Sequence, residues 1–230
     1  MDLEVLEKKI DADFENKDLL KEALTHRSYL NENPGWGIPH NERLEFLGDA
    51  VLELAVTENL FGRFPDYAEG QLTSIRAALV NYQMIAQVAR NIDLEKHILM
   101  SRGEAKDTGR AREVILANAV EALIGAVYLD KGYETARKFI EKFVIEVNLE
   151  TVIRNHLYKD PKSQLQEIIQ EKMKLTPTYK VLEEWGPDHK KIFRSGVYFD
   201  AKLIAEGEGY SKQEAEVEAA REALKKVVSS

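Results

Sequence analysis

The sequence predicts a multi-domain protein, with an all-α domain followed by a smaller α+β domain of element order αβββα. The chain has 230 residues, which is enough for two separate cores. Over residues 3–148, apolar residues recur at spacings of three and four, as in helices. After Asp160-Pro161 the spacing changes to the alternation typical of strands. We therefore place the first domain at residues 1–150, a linker at 151–159 and the second domain at 160–230.

The composition is that of a globular protein, with 44% hydrophobic and 31% charged residues. No apolar run is long enough to suggest a membrane span, and the first residues lack the pattern of a secretion signal. Cysteine is absent, which excludes disulfides, thiolate nucleophiles and thiolate metal ligands. We expect a cytoplasmic protein that does not bind membranes.

The net charge of −8 argues against a polyanionic partner, because proteins that bind nucleic acids usually carry a basic surface. From Asp160 to the end there are 12 Lys and Arg against 13 Asp and Glu, which is −1 and leaves −7 for the first 159 residues. Any contact with a nucleic acid must therefore depend on where a few basic side chains lie.

Helix-breaking and charged residues predict three loops in the first domain, at residues 31–40, 65–67 and 103–112. In the second domain, Asp160 is suited to cap a helix over Pro161–Met173. Ser211 is suited to cap a last helix ending near Val228, with Glu214 completing a capping box. Between these helices, strands are predicted at residues 178–184, 191–199 and 201–206.

Residues 41–53 form an acidic amphipathic helix. Glu42, Glu45 and Asp49 fall within about 60° of one another on a helical projection. The opposite side carries apolar residues, and this pattern alone fits a solvated acidic face as well as a functional site. The apolar residues are Leu44, Leu47, Val51 and Leu54.

A second helix, over residues 114–129, is apolar or small on every side except at Asn118 and Glu121. Such a helix lies inside a protein, where an unpaired carboxylate costs several kcal/mol. Glu121 therefore needs a Lys or Arg partner, a raised pKa, or a cation shared with other carboxylates. Oxygen ligands alone favour magnesium.

Residues 41–49, with the sequence NERLEFLGD, resemble the signature motif of the ribonuclease III family, which includes Dicer. Three further matches occur in the family's order: residues 24–29 lie before this motif, and residues 69–72 and 116–122 lie after it. Residues 160–230 resemble a double-stranded-RNA-binding domain. The resemblance covers nearly the whole chain.

The resemblance implies an endoribonuclease that cleaves double-stranded RNA as a homodimer, with magnesium or manganese as cofactor. It implies products with 5′-phosphate and 3′-hydroxyl ends and short 3′ overhangs, and roles in ribosomal RNA and messenger RNA processing. By position, Phe46 matches an aromatic residue of the dimer interface, although an ordinary buried Phe fits the sequence equally well. Metal ligands are matched by Glu45, Asp49, Asn118 and Glu121, and catalytic acids by Asp49, Glu121, Glu42 and Glu69.

The residue types agree with this chemistry. Phosphodiester hydrolysis needs an activated water and neutralised phosphate charge, and magnesium held by carboxylates supplies both. No protein nucleophile is required. His26 could act as a general base, but we favour a role in ordering the adjacent helix.

Asn118 departs from the family pattern, which has Asp at this position. Its side-chain oxygen can bind magnesium, but it adds no negative charge, and its amide nitrogen needs an acceptor. An alternative is therefore a dimeric RNA-binding protein with weak or no cleavage. A metal-free helical dimer with an unrelated partner is a third alternative, but it leaves Glu121 unexplained.

The second domain can recognise A-form RNA through its shape and backbone with few charges. We predict modest, steeply salt-sensitive binding, because the family usually has a further lysine where this chain has Gln213. The resemblance implies groove contacts from Gln164, Glu167 and His189, and it places Lys190, Lys191, Ser211 and Lys212 at the phosphate-binding positions.

Overall fold

The computed structural model describes residues 3–187 and 190–228. The chain divides into two compact units, Met1–Tyr158 and Lys159–Ser230, which are described separately below. No helix in the described ranges is long and apolar enough to cross a membrane.

The first unit is all α, as predicted. Its described residues form nine α-helices, two 3-10 helices (Leu94–Lys96 and Glu104–Lys106) and one π-helical segment (Glu141–Ile145). Its β pairing, within those residues, is limited to a bridge between Thr25 and Leu99. The α-helices are α1 (Leu3–Ile10), α2 (Lys17–Ala23), α3 (Arg27–Glu32), α4 (Glu42–Arg63), α5 (Glu69–Val80), α6 (Tyr82–Asn91), α7 (Arg110–Lys131), α8 (Tyr133–Ile140) and α9 (Glu146–Arg154).

The helices α4 and α7, each of 22 residues, lie at the centre of this unit. Helix α7 is buried because nearly all of its side chains between 115 and 127 are apolar. Helix α4 buries a stripe that includes Leu44, Val51 and Leu52. Leu54, which we expected on the apolar side, is 49% exposed because the buried stripe continues through Ala55 and Val56 instead.

Two glycines allow α4 and α7 to cross with their backbones in contact. A Cβ atom added to Gly48 would lie 1.7 Å from the carbonyl oxygen of Glu121, and one added to Gly125 would lie 2.3 Å from that of Leu44. Real Cβ atoms do not approach carbonyl oxygens this closely, so only glycine fits at either position. The crossing therefore sets the distance between the acidic residues of the two helices.

Two predicted loop boundaries in the first unit were wrong by a few residues. Helix α3 continues to Glu32, two residues into the predicted loop at 31–40, and α7 begins at Arg110, so that the last three residues of the loop predicted at 103–112 are helical. In both cases the helix includes polar residues that the apolar spacing does not detect. Helix α9 runs to Arg154, into the segment predicted as a linker.

The second unit has the predicted αβββα order. The antiparallel strands lie in the order β1-β2-β3, and β3 extends three residues beyond its predicted end. Both helices contribute to the core on one face of the sheet, through residues such as Leu165 and Ala219 packed with Val197. The elements are α10 (Pro161–Met173), β1 (Thr178–Trp185), β2 (Ile192–Phe199), β3 (Lys202–Gly209) and α11 (Lys212–Val228).

The predicted helix caps of this unit are present, with one difference. The Asp160 carboxylate accepts a hydrogen bond from Ser163 N at 2.9 Å, and Ser211 Oγ accepts one from Glu214 N at 3.1 Å. The Glu214 carboxylate accepts from Tyr210 N at 2.9 Å, one residue before the position expected for a capping box. The start of α11 is therefore fixed from both sides of Ser211.

Candidate functional site

The α4–α7 crossing brings acidic residues together inside the first unit. Glu45 and Asp49 of α4 lie near Asn118 and Glu121 of α7, close enough that their charges raise the pKa of Glu121 and that Asn118 lowers the pKa of Glu45. Glu42 lies one turn before Glu45 and adds to the negative potential there. The structure thus brings together the predicted metal-ligating positions.

Glu121 has no basic partner. Burial, with the charges of Asp49 and Glu45 acting in the same direction, raises its pKa from 4.5 to about 8. Among residues 3–187 and 190–228, no Lys or Arg forms an ion pair with it. Of the three solutions that the sequence left open for this acid, a Lys or Arg partner is lacking among the described residues, the pKa is raised, and a shared cation stays a prediction.

Asn118 is placed to donate a side-chain hydrogen bond to Glu45. Burial and the charge of Glu42 raise the pKa of Glu45, whereas this hydrogen bond lowers it. The amide nitrogen of Asn118, which needed an acceptor, therefore has one on the neighbouring helix. An Asp at this position would bring a further negative charge and no such donor.

The acid cluster is open. Within the part of the chain that the structure describes, no three His, Cys, Asp or Glu side chains are close enough to enclose a metal ion by themselves. The donor atoms are carboxylate and amide oxygens, which suit magnesium, and magnesium in proteins usually keeps several water ligands. The residues fit an ion that is held by a few side chains and completed by water or phosphate, and this assignment remains a prediction.

The two other predicted acids differ in their distance from the cluster, since Glu42 lies at its edge and Glu69 lies in another part of the first unit. Arg27 Nη1 lies 3.5 Å from the Glu42 carboxylate, and both side chains are exposed. Glu69, at the start of α5, lines a different cavity of about 450 Å³ with Phe61 and Arg76. Within this single chain Glu69 is not joined to the cluster around Glu121, and its catalytic role stays a prediction.

His26 caps helix α3, as we favoured. Its Nδ1 accepts a hydrogen bond from Ser28 N at 3.3 Å and lies 2.8 Å from Ser28 Oγ. Ser28 Oγ in turn accepts from Ser101 N at 3.0 Å, so the hydroxyl hydrogen is directed to His26 Nδ1. Burial lowers the pKa of His26, with Arg27 lowering it and Glu104 opposing the shift. The ring is therefore neutral and carries its proton on Nε2.

Phe46 is 83% exposed, so it is not an ordinary core residue of this chain. Leu54 and Phe61 of the same helix are 49% and 75% exposed. The three positions fall within about 80° on a helical projection, which makes one apolar face along α4. An exposed apolar face of this kind is typical of a protein–protein contact.

In the second unit, Lys191 and Lys212 both lie beside the ring of Phe193, at 5.9 Å and 6.0 Å from its centroid. Lys191 also pairs with Glu184 at 3.1 Å. Sequence reasoning missed Phe193, although an aromatic residue between basic ones was the available signal. Of the other predicted RNA contacts, Gln164 is partly buried, Glu167 and Lys190 are exposed, Ser211 caps α11, and His189 lies outside the described residues.

Comparison with known proteins decides the family. Residues 16–148 match the family model described as ribonuclease-III-like, and residues 161–227 match the double-stranded RNA binding motif. The chain belongs to the ribonuclease III family. As a member of the ribonuclease III family it is an endoribonuclease that carries a double-stranded-RNA-binding motif.

Similar ribonuclease III proteins match over most of their length. Ribonuclease 3 of Desulforamulus reducens is 47% identical, over 91% of this chain and 85% of the relative. Ribonuclease 3 of Carboxydothermus hydrogenoformans is 48% identical, over 95% and 93%. The relatives therefore cover both units.

Solved structures match the first unit. The nuclease domain of ribonuclease III from Campylobacter jejuni is 41% identical with a TM-score of 0.57, covering 64% of this chain and 96% of that one. A second structure of that domain, 44% identical with a TM-score of 0.55 over 62% and 98%, is described as flexible in a region involved in dimer formation.

Proposed function

We propose that this protein hydrolyses phosphodiester bonds of double-stranded RNA with a magnesium-activated water, in the cytoplasm. The products would have 5′-phosphate and 3′-hydroxyl ends with short 3′ overhangs, as in the processing of ribosomal and other RNA precursors. The observation that carries the proposal is Glu121, a partly buried acid that lies beside other acids and forms no ion pair with a Lys or Arg of the described residues. A divalent cation is the simplest group that satisfies such an arrangement.

Glu45, Asp49, Asn118 and Glu121 are the residues that would hold magnesium, with manganese as a substitute. When bound, the metal would lower the pKa of a water molecule and offset charge on the phosphate. Glu121 must first give up its proton, which the added positive charge favours. Asn118 orients Glu45 through its amide nitrogen, which leaves its oxygen as the atom suited to a cation.

We also propose a homodimer formed through the apolar face of α4. Its support is the exposure of Phe46 and Phe61, together with the dimer-forming region named for the related nuclease domain. Phe46→Ala should lower the dimerisation affinity at least about 30-fold, as expected for a buried aromatic anchor. Sedimentation velocity would measure this, with Met173→Ala as the control because Met173 is also an exposed apolar residue but lies in the second unit.

A second candidate function is duplex RNA binding with little cleavage. It is favoured by Asn118, which contributes no negative charge where the family pattern has Asp. The two candidates predict the same fold and different magnesium dependence.

The test compares the unmodified chain with Asn118→Asp and Glu121→Gln. Each is incubated with a long RNA duplex in magnesium and in calcium, and the product ends are mapped. Asn155→Asp is the matched control, since it makes the same substitution at an exposed site at the end of α9. A DNA duplex of the same sequence and a single-stranded RNA report on substrate class.

We expect the unmodified chain to cut only the RNA duplex in magnesium, and Asn118→Asp to reach half its maximal rate at lower magnesium. Glu121→Gln should bind RNA without cutting it. Cleavage that appears only with Asn118→Asp would instead establish the binding-only candidate. Cleavage that persists in a metal chelator would contradict the metal-dependent mechanism.

A further inference from the structure

A cavity of about 440 Å³ opens beside the acid cluster, between the starts of α3, α4 and α7. This volume is within the range of about 300–1,000 Å³ that is typical of sites for small molecules. Its floor is apolar and includes Val114 and Ile115, and Glu45 and Asn118 connect it to the acid cluster. The remaining polar lining residues are His26, Arg27, Asn41, Glu42 and Glu104.

His26 lines this cavity and has one ring nitrogen left to donate a hydrogen bond. Its Nδ1 is occupied by the hydrogen bonds from Ser28, and Ser28 is itself held by the backbone of Ser101. The ring lines the cavity, and its remaining polar atom is the protonated Nε2. Because the ring is neutral, this N–H donates a hydrogen bond without adding a positive charge.

The charge of the cavity disfavours a phosphate group. Three of its polar residues are carboxylates, and the Arg27 guanidinium lies 3.5 Å from one of them, Glu42. A neutral ligand that both accepts and donates hydrogen bonds fits better, because it can accept from His26 and donate to a carboxylate. A ribose has this character, since its 2′-hydroxyl is both donor and acceptor and its carbon atoms suit an apolar floor.

We propose that this cavity binds one ribose of the RNA duplex beside the cleaved bond, with His26 Nε2–H donating to the 2′-hydroxyl oxygen. The hydroxyl hydrogen is then donated to a wall carboxylate, either Glu42 or Glu104. This inference rests on the proposed function, because it requires the duplex to lie along the acid cluster. It assigns a preference for RNA over DNA to a residue of the nuclease unit.

The test uses two variants that divide the functions of His26. In His26→Asn, the side-chain oxygen replaces Nδ1 as a favoured N-cap, but the distal donor is lost. In His26→Gln, the longer amide can supply a donor near the Nε2 position but caps less well. Thermal unfolding shows whether each variant is folded, and Gln164→Ala is the control for ribose contacts made by the second unit.

The substrates are RNA duplexes with single 2′-fluoro substitutions near the cleavage position, which keep the RNA sugar conformation and remove the hydroxyl. Fluorescence anisotropy in calcium measures binding, and single-turnover cleavage in magnesium measures the rate. With the unmodified protein, a 2′-fluoro substitution at one position should weaken binding about fivefold, the order expected for the loss of one hydrogen bond. That sensitivity should vanish in His26→Asn, reappear in part in His26→Gln, and persist in Gln164→Ala.

The inference is overturned if a folded His26→Asn retains the substitution pattern of the unmodified protein, or if no position near the cut is sensitive in that protein. If His26→Asn cleaves RNA and keeps the same sensitivity to 2′-fluoro substitution, the ribose site is disproved and the proposed function stands. If the unmodified protein and its variants show the expected binding pattern but no cleavage occurs in magnesium, the ribose site is supported and the proposed cutting activity is disproved.

Discussion

Both units of this protein place like charges close together, but they do so in different ways. In the nuclease unit, helix packing forces Glu45, Asp49 and Glu121 together, with burial raising the pKa of Glu121 to about 8. In the RNA-binding unit, Lys191 and Lys212 share one aromatic ring near the surface, and Glu184 offsets one of them. The first arrangement carries uncompensated negative charge, which the proposed cation would offset, whereas the second is partly offset by a carboxylate of its own unit.

The largest effect is expected from replacing Gly48 with alanine, which tests whether helix packing holds the acids of the nuclease unit together. The added methyl would meet the backbone of Glu121 at 1.7 Å, so α4 and α7 must separate, and we expect a loss of at least about 3 kcal/mol in the free energy of unfolding of the nuclease unit. Each unit has one tryptophan, Trp36 or Trp185, so single-tryptophan variants report urea unfolding of each unit separately.

Gly62→Ala is the control for this substitution, because it lies on the same helix with open space around it. It should be neutral or stabilising by up to about 1 kcal/mol, the difference in helix propensity between the two residues. An equal loss in both variants, or an equal effect on both tryptophan signals, would show that the helix contact is not the cause.

Glu121→Gln should separate cutting from binding. It keeps the size of the side chain and removes its charge, so cleavage should fall at least about 100-fold while duplex binding in calcium changes less than about twofold. Lys212→Gln should weaken duplex binding and leave cleavage of the bound duplex nearly unchanged. The rate of single-turnover cleavage and a binding isotherm check both, and a parallel loss of binding and cleavage in Glu121→Gln would contradict the division of roles.

Stability should depend on pH through Glu121. In the folded chain it holds its proton up to about pH 8, and in the unfolded chain it loses it near 4.5. Between these values unfolding releases a proton, so the free energy of unfolding should fall as pH rises from about 4.5 to 8 and then level off.

Magnesium should oppose this decrease, because it binds the deprotonated acid. The rise in Tm on adding magnesium should therefore be larger at pH 8 than at pH 6. Thermal unfolding at the two pH values measures it, and Glu121→Gln should remove most of the difference. A magnesium effect that is equal at both pH values would contradict the link to this acid.

The smallest expected effect concerns the RNA-binding unit. Lys212→Gln should weaken duplex binding a few-fold and lower the slope of log K against log salt by about one, the loss of one phosphate contact. Lys225→Gln is the control, since Lys225 lies at the opposite end of α11 and pairs with Glu222. Equal salt slopes for the two variants would show that a lysine near the start of α11 contributes no more to RNA binding than one near its end.

Sequence periodicity predicted the two units and the order of strands because apolar spacing reports directly on buried faces. It also identified Glu121 as unusual, since an acid within an apolar helix has few solutions. It could not predict the backbone contact at Gly48 and Gly125, because small residues carry no apolar signal and the partner helix is distant in sequence. The hydrogen bonds linking Ser101, Ser28 and His26 were missed for the same reason.

The glycine contact between α4 and α7 also has a consequence for folding. The two helices are separated by four other elements in the chain, so the acid cluster forms only after a long stretch of chain has been ordered. The acids lie on opposite sides of a contact that requires nearly complete packing of the surrounding core. A partly folded chain therefore has no assembled acid cluster, and if the cluster is the cutting site as proposed, activity should appear together with the final core.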